Sequence, residues 1–266
     1  MEKFGLLGKK LGHSLSPFIH NILFEINGVN AQYKLYETDD LKEFFKSNKL
    51  DGFNVTIPYK KDIFNMCQSL HSSAQNLGAV NCVDRGFVGY NTDVYGYRKS
   101  VSEIESDFSA KVLLLGCGGV GSMIAKQYDS KNLWVAIRNL TEERVQEIKD
   151  KFDGVNVVDI QNIPIDNFDL ICNSTPIGMF PDINSSPVSQ RVVGQSKAVY
   201  DTIYNPYQTK LLSYAQNANV KYKNGLDMLV FQAVKSHFYW YNGQFEESDI
   251  EEIIRLTKKE LDKRWL

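Results

Sequence analysis

A glycine-rich turn between an apolar strand and an amphipathic helix is the feature that most constrains this chain. Residues 112–121 read Val-Leu-Leu-Leu-Gly-Cys-Gly-Gly-Val-Gly, a complete G-x-G-G-x-G pattern. Glycine at these positions permits a tight turn, close approach of the backbone to a pyrophosphate, and close packing of the helix on the strand. The alternative is a glycine-rich turn that binds nothing, but the flanking strand and helix favour a dinucleotide site. The predicted cofactor contacts are Gly116, Cys117, Gly118, Gly119, Val120 and Gly121.

The end of the next strand predicts which dinucleotide is bound. An NAD enzyme usually carries an acidic residue there, which binds the ribose 2′-hydroxyl. This chain instead has Arg138 and Asn139, with Arg144 a short segment later. A guanidinium suits a 2′-phosphate because it donates forked, charge-assisted hydrogen bonds. Arg138 as an ordinary surface charge is the alternative, and the absence of an acid at the strand end favours NADP over NAD.

Short apolar segments alternate with amphipathic segments along almost the whole chain. This alternation predicts an α/β protein with largely parallel sheets. The predicted strands are Phe4–Leu7, Gln32–Tyr36, Gly52–Ile57, Lys111–Leu115, Trp134–Ile137, Leu170–Asn173, Ala198–Asp201 and Val220–Lys223. The predicted helices are Pro17–Glu25, Leu41–Ser47, Val120–Tyr128, Glu142–Asp150, Leu211–Ala218 and Asp249–Lys263.

The chain divides near residue 105, where the polar and acidic segment Val101–Ser109 has the composition of a hinge. The C-terminal helix has an apolar face that must pack against another element. Its spacing allows the helix either to end the second domain or to return to the first. The residues of this face are Ile250, Ile253, Ile254, Leu256 and Leu261.

The composition excludes several classes of function. The chain has 266 residues, of which 43% are hydrophobic and 23% charged, and this suits a globular protein with a substantial core. Its net charge of −2 provides no overall positive field that would recruit nucleic acid or an anionic membrane. An anionic substrate must therefore be held by local groups. No segment has the pattern of a signal peptide or a membrane span.

The cysteines and histidines indicate neither a disulfide framework nor a metal site. The four cysteines are scattered without a C-x-x-C pair, which is typical of free thiols in the reducing cytoplasm. The four histidines lack metal-ligand spacing, so we expect no metal. A redox role for Cys117 is disfavoured, because it lies inside the glycine loop without a partner thiol.

Two serines follow the first predicted strand, in the segment His13-Ser-Leu-Ser-Pro17. Their hydroxyls are two residues apart and suit a carboxylate. Ser16 directly before a proline is also typical of a helix N-cap. The two interpretations are compatible, since the N-terminus of a capped helix itself binds anions.

A lysine and an aspartate in the first hundred residues form a candidate acid–base pair. Lys60 follows the end of the strand that carries Asn54 and Thr56, which is where α/β enzymes place chemistry. Asp93 follows a short polar run. Near a ketone, such a lysine passes a proton to or from the oxygen, while the aspartate orients it and balances its charge. Taken alone, two adjacent lysines such as Lys60 and Lys61 are usually solvent-exposed surface residues.

In their order along the chain, these clusters resemble the shikimate dehydrogenase family, and the resemblance covers nearly the whole sequence. Each motif is weak alone, but eight motifs in the family's order are very specific. They are the serine segment, Asn54-Val-Thr-Ile-Pro-Tyr-Lys60, Gly78-Ala-Val-Asn81, Asn91-Thr-Asp93, the glycine loop, Asn173-Ser-Thr-Pro-Ile-Gly-Met179, Asp201-Thr-Ile-Tyr-Asn-Pro206 and Asn224-Gly-Leu-Asp-Met-Leu-Val-Phe-Gln-Ala233.

The resemblance implies an NADP-dependent reduction of a ring ketone on a small, anionic, hydroxylated cyclohexene carboxylate. It implies that Lys60 is the proton donor and acceptor and that Asp93 is its partner. The substrate-binding residues that it implies are Ser14, Ser16, Thr56, Asn81, Asp93, Tyr204 and Gln232. On the cofactor side, it adds to the glycine loop and Arg138 the residues Thr175, Met179, Gly225 and Met228.

The resemblance also implies a domain layout. Residues 1–104 would form an N-terminal α/β substrate-binding and catalytic domain, and residues 105–228 a Rossmann-type, doubly wound NADP-binding domain. Residues 229–266 would form a C-terminal helical segment that packs back on the first domain. We expect a monomer or homodimer in the cytoplasm, without nucleic acid or membrane partners.

Two alternatives stay open. A relative that acts on quinate or uses NAD would share the fold and the catalytic pair, so only detail in the pocket separates it. A nucleotide-sensing module that has lost catalysis would need neither Lys60 nor Asp93. The presence of both residues argues against such a module.

Overall fold

The computed structural model describes residues 1–12, 14–164 and 166–265, so His13 of the serine segment lies outside the described residues. The chain folds into two compact units. The first unit comprises Met1–Gly96 and Leu229–Leu266, and the second comprises Tyr97–Met228.

The boundary between the units falls inside a helix. Tyr97 is the first residue of the second unit and is fully buried, with its hydroxyl 2.7 Å from that of Tyr128. Val101 is fully buried as well. The segment predicted as a hinge, Val101–Ser109, therefore begins after the chain has entered the second unit. The predicted boundary at residue 105 lies later than the one in the structure.

The elements that begin in the N-terminal part of the first unit are mostly short. In chain order they are β1 (Glu2–Gly8), α1 (Ser16–Ile26), β2 (Ala31–Glu37), α2 (Leu41–Ser47), β3 (Gly52–Val55), α3 (Lys60–Met66), β4 (Ser69–Leu70), α4 (Ser72–Gln75), β5 (Cys82–Asp84), β6 (Val88–Tyr90) and α5 (Asp93–Val101). The strands form one sheet in the order β2-β1-β3-β5-β6-β4. The pairs β1–β2 and β1–β3 are parallel, whereas β5 is antiparallel to both β3 and β6.

Side chains of this sheet alternate between two apolar cores. Phe4 and Leu6 of β1 pack on one face with Phe24 of α1. Leu7 packs on the other face with Phe44 of α2. Parallel strands end at the same edge of a sheet, so the loops after β1 and β3 leave from one edge. That edge carries the candidate site.

The second unit contains the other predicted strands and a strand that the sequence analysis did not identify. Its elements are β7 (Val112–Leu115), α6 (Gly119–Ala125), a 3₁₀ turn (Ser130–Asn132), β8 (Leu133–Ile137), α7 (Glu142–Lys151), β9 (Asn156–Asp159), β10 (Phe168–Asn173), α8 (Gln190–Val193), β11 (Ser196–Asp201), α9 (Lys210–Asn217) and β12 (Lys221–Lys223). The order β12-β11-β10-β7-β8-β9 is parallel at every pairing.

The order of the second sheet is that of a doubly wound fold, since it grows outward in both directions from β7 and β10. All four residues of β7 are buried, as expected of a central parallel strand covered on both faces. The predicted α/β class and the Rossmann-type second half are confirmed. The helix predicted over Val120–Tyr128 is shorter, and it ends at Ala125.

Two helices complete the chain, α10 (Leu226–Tyr241) and α11 (Glu247–Trp265). Helix α11 lies against α1 and buries Ile253, Thr257 and Leu261. The apolar face found in the sequence therefore packs on the first unit, as the family resemblance implies. No helix in the described parts of the chain is long and apolar enough to cross a membrane.

A pair of buried histidines joins α1 to α10. The Nδ1 atom of His20 lies 2.9 Å from Nε2 of His237, and His237 also contacts the hydroxyl of Tyr241. The ring of His20 stacks on that of Tyr33 at a centroid distance of 4.1 Å. Burial lowers the pKa of His20 to about 3 and lowers the pKa of His237 well below its ordinary value, with His20 adding to the second shift. Both rings are therefore neutral in the folded protein.

We expect this pair to make the protein sensitive to acid. Each histidine is neutral when folded but binds a proton near its ordinary pKa of about 6.5 when unfolded. The unfolded state therefore binds more protons below that pH, and the free energy of unfolding falls as the pH drops towards 3. The slope is at most about 1.4 kcal/mol per pH unit for each histidine. Urea unfolding over a series of pH values measures it.

The exposed His71 provides the matched control. His71→Asn should keep the whole acid dependence, whereas His20→Leu should flatten it because one of the two buried rings is gone. Equal slopes in the two variants would show that the buried pair does not control the response to acid.

Candidate active site

Lys60 and Asp93 form an ion pair in the first unit. The Nζ atom of Lys60 lies 2.6 Å from Oδ2 of Asp93. Lys60 is the first residue of α3 and Asp93 is the first residue of α5. The side chain of Lys60 is 25% exposed and that of Asp93 is 17% exposed, so the pair is partly buried but open to a ligand. Lys61 is exposed and forms no part of the pair.

The turn after β3 brings Lys60 to this position. The strand ends at Val55 rather than at the predicted Ile57. Pro58 has no N–H for a further strand bond, and the chain turns so that the N–H of Tyr59 donates to the carbonyl of Thr56 at 3.0 Å. Helix α3 begins directly after this turn.

Thr56 and Lys60 are both fixed through their backbone. The N–H of Thr56 donates to the carbonyl of Leu7 at 3.0 Å, and the carbonyl of Lys60 accepts from the N–H of Val80 at 2.9 Å. The side chain of Thr56 packs against the backbone of Gly8. A Cβ at position 8 would lie 2.7 Å from the methyl group of Thr56, so a larger residue there would clash with it. Thr56 therefore lies at the same sheet edge as the predicted pair.

Asn81 holds the second oxygen of Asp93. Its amide nitrogen donates to Oδ1 of Asp93 at 2.8 Å and to the hydroxyl of Thr92 at 3.0 Å. Its carbonyl oxygen accepts from the N–H of Thr92 at 2.7 Å. The side chain of Asn91 accepts from the N–H of Asp93 at 3.1 Å, which turns the chain into α5. Lys60 and Asn81 thus bind different oxygens of one carboxylate, and this fixes its orientation.

Gln232 reaches the same cluster from α10. Its carbonyl oxygen accepts from the hydroxyl of Thr92 at 3.3 Å, and its amide nitrogen donates to the carbonyl of Leu229 at 2.9 Å. The predicted residues Lys60, Asn81, Asp93 and Gln232 are therefore connected directly or through Thr92. Thr92 stands inside the Asn91-Thr-Asp93 motif but had no predicted role of its own.

A second layer of buried polar groups supports this cluster. The amide nitrogen of Asn54 donates to the hydroxyl of Ser236 at 2.9 Å and to the carbonyl of Asn81 at 3.1 Å. The hydroxyl of Tyr33 donates to the carbonyl oxygen of Asn54 at 2.8 Å. Neither Asn54 nor Ser236 had a predicted role of its own. The spacing of Gln232 and Ser236, one helical turn apart, was the available signal.

The two serines of the first loop are joined by a hydrogen bond. The hydroxyl of Ser14 accepts from the N–H of Ser16 at 3.2 Å, and Ser16 is buried. Ser16 is the first residue of α1, while Leu15 occupies the N-cap position without a side-chain cap. The interpretation of Ser16 as an N-cap is therefore wrong, because the helix starts one residue earlier. The hydroxyl of Ser14 lies at the start of α1 beside the N–H of Ser16, and the carboxylate site stays a prediction.

The glycine loop joins β7 to α6 in the second unit. Gly116 has a φ of +88°, and a Cβ there would lie 2.7 Å from a side-chain carbon of Thr175. A Cβ on Gly121 would lie 2.6 Å from the carbonyl oxygen of Gly116, so helix and strand approach too closely for any other residue. At Gly118 and Gly119 a Cβ would meet nothing within 4 Å. The middle of the loop therefore presents bare backbone to open space, as a pyrophosphate site requires.

Cys117 in this loop is not an activated thiol. Its sulfur lies 3.6 Å from the hydroxyl of Ser122. Burial raises the pKa of the Cys117 thiol, which reduces the fraction present as the reactive thiolate.

Arg138 directly follows β8 and is exposed. Asn139 next to it has a φ of +54° and turns the chain towards α7. The guanidinium of Arg144 donates to the carbonyl of Arg138 at 2.6 Å. Thr141 caps α7 by accepting from the N–H of Arg144 at 3.3 Å. Arg144 therefore stabilises the turn, while the guanidinium of Arg138 remains exposed.

A buried carboxylate ties the ends of β10 and β11 together. Asp201 is fully buried and accepts from the amide of Asn173 at 2.9 Å and from the hydroxyl of Thr209 at 2.7 Å. Burial raises the pKa of Asp201 to about 6, against the effect of these donors. The side chain of Asn173 in turn accepts from the N–H and the hydroxyl of Thr175, at 3.0 and 2.7 Å. The predicted cofactor residue Thr175 is thereby held in place.

The other predicted residues on the cofactor side also belong to the second unit. A Cβ on Gly225 would lie 2.1 Å from the carbonyl oxygen of Thr202, so only glycine fits there. Met228 is buried and Met179 is 45% exposed. Tyr204, predicted to bind substrate, lies in this unit and is partly buried. Within the described parts of the chain, no group of three or more His, Cys, Asp or Glu residues is arranged to hold a metal ion.

Comparison with known proteins gives consistent matches along the chain. The family model described as the shikimate dehydrogenase substrate binding domain matches residues 6–83, and the one described as shikimate / quinate 5-dehydrogenase matches residues 99–184. The shikimate dehydrogenase (NADP(+)) of Caldicellulosiruptor bescii is 36% identical, over 91% of this chain and 90% of that protein. The shikimate dehydrogenase (NADP(+)) of Caldanaerobacter subterraneus is 34% identical, over 95% and 96%.

The chain belongs to the shikimate dehydrogenase family. Solved structures agree: the chorismate mutase/shikimate 5-dehydrogenase fusion protein of Clostridium acetobutylicum has a TM-score of 0.88 at 34% identity, over 98% of this chain and 99% of that one. The shikimate 5-dehydrogenase of Thermus thermophilus, solved in complex with NADP(H) and shikimate, has a TM-score of 0.84 at 27% identity, over 97% and 100%. The resemblance inferred from the eight motifs is confirmed. Members of this shikimate dehydrogenase family are oxidoreductases, and Lys60 and Asp93 are the candidate catalytic pair in this one.

The contacts of Asn81 predict a measurable effect in this family member. Asn81→Ala leaves the buried N–H of Thr92 without its acceptor and frees one oxygen of Asp93. We expect a loss of about 1–3 kcal/mol in the free energy of unfolding, the usual cost of an unpaired buried polar group. Chemical unfolding of the variant measures this loss. The exposed Asn30 is the control, and Asn30→Ala should be near neutral. Equal stability of both variants would contradict the positioning role of Asn81.

Proposed function

We propose that this protein catalyses the reversible NADPH-dependent reduction of 3-dehydroshikimate to shikimate, a step towards chorismate and the aromatic amino acids. The observation that carries the proposal is the 2.6 Å contact of Lys60 with Asp93, an acid–base pair at one edge of the first sheet. Curated relatives named shikimate dehydrogenase (NADP(+)) at 36% and 34% identity support the choice of reaction.

The role of Lys60 follows from the chemistry of a ketone. NADPH, when bound, supplies the hydride that the carbonyl carbon requires. The carbonyl oxygen then gains negative charge and needs a proton, which the ammonium group of Lys60 is able to donate. Asp93 orients that ammonium group and balances its charge, and in the reverse direction it stabilises the lysine as it regains the proton. A binding module without catalysis has no use for this arrangement.

The substrate carboxylate and hydroxyls need separate partners. We assign the carboxylate to the hydroxyls of Ser14 and Ser16, two residues whose loop is held by a 3.2 Å hydrogen bond from the N–H of Ser16 to the hydroxyl of Ser14. Neutral hydroxyls hold a carboxylate without a permanent charge of their own. We assign the ring hydroxyls to the remaining predicted contacts in the first unit, which are Thr56, Asn81, Asp93 and Gln232. The role of Tyr204, which belongs to the second unit, stays a prediction. Asn81 has the additional task of holding Asp93.

The second unit fits a dinucleotide phosphate. The bare backbone at Gly118 and Gly119 leaves room for a pyrophosphate, and the exposed guanidinium of Arg138 suits a ribose 2′-phosphate. Arg144 and Asn139 would act through the turn that presents Arg138. We assign the nicotinamide side to Thr175, Met179, Gly225 and Met228. The domain roles follow: the first unit holds the substrate and the second holds NADP.

The central test compares two adjacent lysines. Lys60→Ala should lower kcat about 100-fold or more, because a general acid–base group is lost. The Michaelis constant for shikimate should change less, because the proton transfer develops in the transition state. Lys61→Ala has the same charge change next to the site and should be near neutral. Steady-state kinetics of both variants with shikimate and NADP measures this difference.

Two results would contradict the proposed mechanism. One is a damaging Lys61→Ala, and the other is a Lys60→Ala enzyme whose kcat stays within a few-fold of the parent. The same assay with quinate in place of shikimate separates the two substrates that the description of the second family model names.

Cofactor choice has its own test. Arg138→Ala removes a charge-assisted contact to the 2′-phosphate and should raise the Michaelis constant for NADP by the equivalent of about 1–3 kcal/mol. The constant for NAD, which lacks that phosphate, should change little. Steady-state kinetics with each cofactor measures the two constants. Equal weakening of both cofactors would show that Arg138 does not read the phosphate.

Two further expectations accompany this function. The four cysteines are free in the structure, which is consistent with the cytoplasm as the place of action. An assembly of one or two chains stays a prediction.

A further inference from the structure

A basic cavity lies on the first unit, on the face of the sheet that also carries α2. Its volume is about 290 Å³, and β1, β2 and the segment at the end of α2 line it. Three lysines, Lys3, Lys34 and Lys49, share it with the ring of Tyr36. None of the residues assigned to the active site lines it. The other lining residues are Met1, Gln32, Ser47, Asn48 and Leu50.

The strand register explains why the cavity exists. Lys3 lies opposite Gln32, and Gly5 lies opposite Lys34. A Cβ on Gly5 would lie 2.4 Å from the ring of Tyr36 and 2.4 Å from the carbonyl oxygen of Lys34. Without that Cβ, the ring of Tyr36 lies across the backbone of Gly5 and forms an aromatic wall. This wall is apolar, and Lys3, Lys34 and Lys49 line the same cavity.

The positive charge of the cavity is not neutralised by the protein. No lining residue is acidic, and within residues 1–12, 14–164 and 166–265 none of the three lysines forms an ion pair. The nearby carboxylates have other partners. Asp51 accepts from the N–H of Lys3 and from Arg85, and Glu43 pairs with Lys46. Three cations around one concave surface repel each other and raise the local concentration of anions.

We propose that this cavity binds a small planar molecule that carries two or three carboxylate or phosphate groups, at a site separate from the active site. The ring of Tyr36 provides a face for a flat ligand, and the three lysines that line the same cavity provide positive charge. The side-chain amide of Gln32 is placed to donate a further hydrogen bond. Binding relieves the repulsion among the lysines, so the ligand should also stabilise the folded protein.

The test uses benzene-1,3,5-tricarboxylate as the probe and isothermal titration calorimetry at low ionic strength. The whole chain should bind the probe at one site, and benzoate, with one charge, should bind more weakly. Lys34→Met and Lys49→Met should each weaken binding about three- to tenfold, the range for one lost charged contact. Lys34→Arg should restore most of the affinity. The thermal midpoint of the parent should rise with the probe, and that of the double Met variant should rise less.

Two control variants separate this site from other effects. Lys259→Met removes another exposed lysine of the same unit and should leave binding unchanged. The double change Ser14→Ala and Ser16→Ala alters the proposed substrate carboxylate site and should also leave it unchanged, so failure of the proposed function would not affect this result.

Three outcomes would overturn the proposal. The parent protein does not bind the probe, or Lys259→Met weakens binding as much as Lys34→Met, or the serine variant abolishes binding. Strand β2 is an edge strand, and lysines on an edge also prevent pairing between chains. If Lys34→Met makes the chains associate while the affinity for the probe stays the same, the lysines protect the edge and hold no ligand.

Discussion

The carboxylate of Asp93 is the point on which the candidate site depends. One oxygen binds Lys60 and the other binds Asn81, at 2.6 and 2.8 Å. A carboxylate bound on one side only is free to rotate, and a lysine has a long flexible stem, so neither group would be positioned by the pair alone. The geometry therefore requires the end of β3, the start of β5 and the start of α5 to meet at one place. The antiparallel pairing of β5 with β3 provides that meeting point.

Because the cluster is buried, each of its polar groups depends on a partner within the cluster. Asn54, Asn81, Thr92 and Ser236 are nearly or completely buried, and each uses its polar atoms within the cluster. A buried polar group without a partner costs free energy that a small domain can hardly spare. Helix α10 supplies Ser236 and Gln232, so the C-terminal segment completes the polar network as well as the apolar core. Its return to the first unit thus has a chemical reason in addition to the apolar face of α11.

In the second unit, the glycine loop after β7 presents backbone without side chains at the proposed phosphate site. At Gly116 and Gly121 any Cβ would clash with backbone or side-chain atoms of the same unit, whereas at Gly118 and Gly119 a Cβ would extend into open space. Gly116 and Gly121 are needed for packing, whereas Gly118 and Gly119 keep the backbone accessible to a ligand. The buried Asp201 then ties β10 to β11 and, through Asn173, holds the loop of Thr175. Few polar side chains are needed because the backbone itself forms the proposed phosphate contact.

The sequence by itself determined the α/β class, the glycine loop and the candidate pair. These follow from local patterns, since a strand, a turn and a helix within ten residues allow few structures, and a family motif places Lys60 and Asp93 by order alone. It missed β4, β5, β6 and β9, which are only two to four residues long and show little periodicity. Only the tertiary structure decided that Asn81 holds Asp93, that α11 packs on α1, and that Lys3, Lys34 and Lys49 share one cavity. These residues lie on different elements of the chain, and strand register and helix packing, which no local pattern encodes, bring them together.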